Sequence, residues 1–121
     1  MDKFVDINLI YGVYELISID SFINDQKTDE TAKAGLFTFT RDKKVSVVNS
    51  SNDWIMSYVG SFEISKDQLL IQIKACVVKE MENTRISRKI VLLDQDQLIV
   101  DASGKDPSRR AEIKWKKIAQ L

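Results

Sequence analysis

Histidine is absent from the chain. That removes the side chain most often used as a general base at neutral pH. It also removes Ser-His and Cys-His nucleophile pairs and the commonest metal ligand. The single cysteine, Cys76, excludes an internal disulfide and a zinc site built from cysteines. Its neighbours Ala75 and Val77 offer nothing to activate the thiol, which reads as inert and half-buried. No metal and no cofactor are expected. No segment is long and apolar enough to span a bilayer. Asp2 and Asp6 stand where a secretion signal needs basic and then apolar residues, so a cytoplasmic location is expected.

An excess of one charge is missing too: 18 basic residues face 18 acidic ones. The basic residues concentrate in "RRAEIKWKK", Arg109 to Lys117, a strand face that water alone can satisfy. No nucleic-acid partner is expected from this balance. Oligomeric state is not written in the composition.

What is present is an ordinary globular mixture, 44% hydrophobic and 30% charged, over 121 residues. That length makes a single domain, residues 1–121, able to bury roughly two-thirds of its unfolded surface without staples. Proline occurs once and glycine four times, so turns must be marked by Asn, Asp, Ser and charged pairs. The hydrophobic period is mostly two. "AGLFTFT" and "VSVVNSS" are β-rich runs joined at Arg41-Asp42-Lys43-Lys44. "SYVGSFEIS" and "LLIQIKACVV" meet at Lys66-Asp67-Gln68. "TRISRKIVLL" and "LIVDAS" flank Asp94-Gln95-Asp96-Gln97, and "RAEIKWKKI" closes the chain. With the opening "YGVYELISID" this makes about eight strands, joined by short turns and therefore antiparallel to their neighbours. Helix is confined to a turn within Asp2–Asn8 and a short stretch in "TDETAKA", Thr28–Ala34. The latter lies in a long connection from Ser21 to Lys33. Such strands can form a two-layer sandwich or close into a barrel, which also removes exposed sheet edges.

The succession "GVYEL", "AGLFTFTRDKKVSV", "YVGSFEIS-KDQLLI", "RKIVLLDQDQLIV" and "AEIKWKKI" resembles the bacterial lipocalin-like domain family of small calycin-type barrels. The likeness runs over nearly the whole chain and rests on order and spacing. Two features depart from it: Tyr14 stands where the family usually has Trp, and "NSSNDWIMS" is a shorter connection than is common there. The resemblance implies an all-β, eight-stranded antiparallel up-and-down barrel with at most short helical segments. It further implies an interior that binds a small apolar molecule.

The candidate ligand-binding residues are those expected to face inward. Tyr14 is placed there by its match to the family's Trp. Phe37 and Phe39 share one phase of their strand, and Tyr58, Phe62 and Ile64 share a face with Gly60. Trp115 is in phase with Ala111 and Ile113. Core packing accounts for Tyr14 first of all, and Tyr58 and Phe62 would serve as packed wall and pocket wall at once. Arg88 is the sharpest polar candidate. It is in phase with Ile86, Ile90 and Leu92, and a guanidinium facing inward needs a carboxylate, carbonyls or an anionic ligand. The opposite register turns Ser87, Lys89, Val91 and Leu93 inward and leaves Arg88 solvated. Gln72 shares a phase with Leu70, Lys74 and Cys76, the presumed outer set. Glu63 falls with Ser61 and Ser65 on a polar face, and Glu15 lies on a strand whose faces are both apolar.

Three functions fit. The leading one is a barrel that binds a small apolar or amphipathic molecule. A cyclase or isomerase acting on an apolar substrate would use Tyr58 and Arg88 to stabilise a developing oxyanion. A protein-interaction module would use Trp54, Ile55 and Met56, read as apolar residues of a loop.

Overall fold

The computed structural model describes residues 5–28, 34–51, 54–102 and 108–121. Alternating burial produces the strands the sequence marks out. β1 (Gly12–Ile23) leads by a hairpin to the two-residue β2 (Gln26–Lys27). There follow β3 (Ala34–Phe39), β4 (Lys44–Ser50), β5 (Ile55–Ser65), β6 (Gln68–Cys76), β7 (Arg85–Leu93), β8 (Gln97–Asp101) and β9 (Arg109–Gln120). Apart from β2, which pairs only with β1, each strand pairs with the next antiparallel, and β9 pairs back onto β1. The result is a closed 8-strand antiparallel barrel. The sandwich alternative is thereby removed.

Closure runs the full length of β1, from Gly12 opposite Gln120 to Ile23 opposite Arg109. The register shifts between Leu16 and Ser18, so Ile17 is an extra residue. Before it, Tyr14 is buried; after it, Ile19 is buried and Ile17 is 51% exposed. That bulge explains why both faces of the opening strand are apolar: the inward phase changes partway along it. β1 also continues past Ser21, where the sequence suggested a long connection. It turns at Asn24 and Asp25, both at positive φ, as a two-residue hairpin of primed type requires.

Bulges correct two further expectations. Cys76 was placed on the outer face with Gln72, yet it is buried. Val59 pairs with Ala75 and Gly60 with Ile73, so Lys74 is the extra residue and Cys76 turns inward. Leu92 was placed inward with Arg88 and Ile90, yet it is exposed, because Val91 is the extra residue between Ile90 and Leu92. Ile55 and Met56 open strand β5 instead of lying in a loop. The short helix expected in Thr28–Ala34 falls mostly on residues 29–33, outside the described residues; Ala34 opens β3. The expected turn near the N-terminus is the 3-10 helix Ile7–Leu9, capped by the Asp6 side chain, which accepts from the Asn8 N–H. Its residues 2–4 also lie outside the described residues. A second 3-10 turn, Lys79–Met81, lies between β6 and β7 without a periodic signal to announce it.

The interior is densely filled at one end. Here the segment before β1 folds across the barrel, with Ile10 fully buried. The Tyr14 hydroxyl donates to the carbonyls of Ile10 and Leu9 at 2.9 and 3.2 Å, and Lys117 Nζ donates to Leu9 O at 2.6 Å. Above this floor the rings stack edge to face. Phe39 lies 5.8 Å from Tyr14 and 5.1 Å from Phe62, and Phe37 lies 5.0 Å from Trp115. Such tilted pairs add roughly 1 kcal/mol each beyond the area they bury. Burial drives the Tyr14 hydroxyl pKa far up, with the Asp94 charge adding to it. That side chain is a neutral donor tying the floor to the wall.

Candidate functional site

Packing stops short of the opposite end, from which the β4–β5, β6–β7 and β8–β9 connections leave. A cavity of about 110 Å³ remains inside the wall there. Phe37 of β3 and Trp115 of β9 form its base, beside Val47, Val100 and Ile113. Met56, Met81 and Ile86 add further apolar surface, and Met81 reaches the cavity from the 3-10 turn. The polar members are Asn49, Tyr58 and Arg88.

Each polar group arrives by strand alternation. Asn49 continues the inward phase of Val45 and Val47 along β4. Tyr58 stands opposite both Val47 and Cys76. Arg88 stands opposite the fully buried Leu69, in the inward phase of β7, so the solvated register of that strand does not occur. Its Nη1 donates to the Ser87 carbonyl at 3.2 Å, and it forms no ion pair with a carboxylate among the described residues. The Tyr58 hydroxyl makes no hydrogen bond among the described residues. Two groups are buried and unanswered among the described residues: the Trp115 indole N–H, a donor, and the Asn49 amide oxygen Oδ1, an acceptor. Asn49 lies across Gly35, where a Cβ would meet its Oδ1 at 2.3 Å. Glycine at 35 therefore gives the amide its place.

Burial pushes the Tyr58 pKa up to about 12, and the Arg88 charge opposes that rise. The neutral phenol is the form the fold prefers, so Tyr58 is a donor throughout the neutral range. The unfolded chain loses this proton near pH 10 and the folded chain near 12. Stability from this group is therefore complete below pH 10 and lost as pH rises from 10 to 12. Tyr58→Phe is expected to flatten that loss and to delete one late step from the tyrosinate absorbance titration. Loss of a step near pH 10 in place of the late one would put the Tyr58 hydroxyl in open solvent.

The sequence candidates divide between two regions. Phe37, Tyr58, Arg88 and Trp115 come together around the cavity. Tyr14, Phe39 and Phe62 belong to the filled end. Sequence reading missed Asn49, although its phase with Val47 was available, and Met81, which carries no such signal. Met56 turns inward, while Trp54 and Ile55 are 40% and 58% exposed. Glu15 and Glu63 are exposed on the outer face, away from Tyr58 and Arg88. Two larger concavities, about 430 and 450 Å³, also lie on that outer face. One runs over Thr38, Ser46, Val59 and Gln72, the other over Glu15, Leu36 and Val48.

The barrel's topology decides what it is similar to. A lipocalin-like protein from Bacteroides uniformis superposes with a TM-score of 0.59, covering 91% of this chain and 99% of its own, at 9% identity. The fold is lipocalin-like. An uncharacterized protein from Bacteroides eggerthii superposes with a TM-score of 0.56, covering 89% of this chain and 98% of its own, at 8% identity. No protein-family model and no curated protein matches the sequence. The resemblance read from the sequence is thus met at the level of the fold, and at these identities the likeness concerns the fold alone. No helix among the described residues is long and apolar enough to cross a membrane. Aromatic and aliphatic side chains fill much of the inside of this lipocalin-like barrel.

Proposed function

We propose that this lipocalin-like barrel binds a small amphipathic molecule in the cavity at its less filled end. The observation that carries the reading is Arg88: a guanidinium on the inward phase of the wall with no carboxylate partner among the described residues. Arg88 is half-buried, so water reaches part of the guanidinium, and a ligand that replaces that water gains a charge-assisted contact. The apolar residues around it supply the complementary surface for a hydrocarbon part. The volume bounds the ligand. Sites for drug-sized molecules run to about 300 Å³ or more, so a long acyl chain or a polycyclic molecule does not fit.

The test is NMR of the labelled protein during titration with small neutral and acidic organic molecules. Shifts confined to Phe37, Tyr58, Arg88 and Trp115 are expected. Shifts confined to the outer grooves, or none at all, would remove the reading.

One observation keeps an enzymatic reading alongside it: Tyr58 and Arg88 line the same cavity, as oxyanion stabilisation in a cyclase or isomerase requires. Turnover of a compact enolisable substrate, lost in Tyr58→Phe and Arg88→Met alike, would support catalysis. The interaction-module reading rests on exposed Trp54 and Ile55 and is tested by the oligomeric state of Trp54→Ala.

A further inference from the structure

The four polar groups on the cavity describe a ligand more closely than its size does. Arg88 offers a planar fork of donors beside Tyr58, a neutral donor. A flat, singly charged acceptor suits that pair; a phosphate dianion suits it poorly, with Arg88 the one cation and no helix N-terminus lining the cavity among the described residues. Deeper in, Trp115 is 1% exposed and its indole N–H lacks an acceptor. The Asn49 amide oxygen lacks a donor. These unanswered groups have opposite senses, and a hydroxyl is the smallest group that both accepts and donates. Val47, Ile86 and Val100 line the same cavity and need hydrocarbon. The volume is smaller than the roughly 150 Å³ that accommodates benzene, which limits the ligand to on the order of six heavy atoms.

Building on the proposed ligand-binding reading, we infer that the occupant is a short-chain hydroxy monocarboxylic acid. Its carboxylate accepts from Arg88 and Tyr58. Its hydroxyl accepts from the Trp115 indole N–H or donates to Asn49 Oδ1. Its short chain lies along the apolar wall between them.

The probes are 3-hydroxypropionate, propionate and propane-1,3-diol at pH 7, titrated by calorimetry and by the Trp115 indole N–H resonance, assigned with Trp54→Phe. Affinity is expected to fall in the order given. Arg88→Met is expected to weaken both acids about ten- to a hundred-fold, the range of a charge-assisted hydrogen bond, and to leave the diol unchanged. Arg88→Lys, which keeps the charge without the fork, is expected to fall between. Trp115→Phe is expected to erase the advantage of 3-hydroxypropionate over propionate. Equal binding of acid and diol, insensitive to Arg88→Met, would overturn the acid assignment while leaving a ligand-binding cavity. A hydroxyl without benefit would overturn the hydroxy assignment, since water then answers Trp115 and Asn49. Failure of all probes, the neutral diol included, to move any cavity resonance would overturn the ligand-binding reading itself.

Discussion

Gly60→Ala is expected to lower stability by about 3 kcal/mol or more, the upper end of what overpacking costs. A methyl group on Gly60 would lie 1.9 Å from the Gln72 carbonyl oxygen, 3.0 Å from its carbon and 3.2 Å from the Ile73 Cα. All three atoms are backbone of the paired strand, so no side chain can swing aside. The position cannot relax easily either, because it adjoins the bulge at Lys74 that turns Cys76 into the barrel. Pushing β6 away would separate Ile71 and Ile73, both fully buried, from the core. The check is the urea midpoint followed by tryptophan fluorescence. Val59→Ala, one residue away and 47% exposed, serves as the control. The control should change stability by about 0.5 kcal/mol or less. If Gly60→Ala and the control unfold alike, the close approach of β5 to β6 at this point is wrong.

The second large effect is Phe37→Ala. Phe37 is 4% exposed, stacks on Phe39 and Trp115, and lines the cavity. Truncation is expected to cost about 3–5 kcal/mol, the usual range for a buried phenylalanine. The same change should alter what the interior accepts. The removed ring separates the cavity from the filled half of the barrel, so the space left behind joins it. Benzene is then expected to raise the melting temperature of Phe37→Ala and to leave the parent unchanged, since a ligand that binds only the folded state stabilises by mass action. A small loss of stability with no response to benzene would mean that the neighbouring rings collapse into the gap. The size limit on ligands would then belong to the whole core and not to Phe37.

These expectations rest on parts of the molecule that were unequally visible in the sequence. The inward placement of Phe37, Phe39, Phe62 and Trp115 follows from period-two alternation, because neighbouring side chains on a strand point to opposite faces. The hairpins at Arg41–Lys44 and Lys66–Gln68 follow from polar clusters between β-rich runs. Cys76 and Leu92 were misplaced for one reason: each lies just past a bulge, and an extra residue reverses every face beyond it. Arg88 lies before the bulge on its strand, so its phase with Ile86 and Ile90 holds. Met81 contributes to the cavity from an irregular turn, where no period exists to be read.

Composition alone set the chemistry available: no imidazole, one thiol, balanced charge, and enough alternating apolar residues for a sheet with one wet face. Order and spacing of the strands were enough to suggest the lipocalin-like barrel. Only the tertiary structure decided that the barrel is closed by β1 on β9, because that pairing joins residues a hundred positions apart through bulges invisible in either strand. It also decided how much room is left inside. Volume depends on how rings from different strands interleave, and no single strand carries that information. The same interleaving left Arg88, Tyr58, Asn49 and Trp115 facing one small cavity, with the Asn49 amide oxygen and the Trp115 indole N–H unanswered among the described residues, and that is where the function of this protein is to be sought.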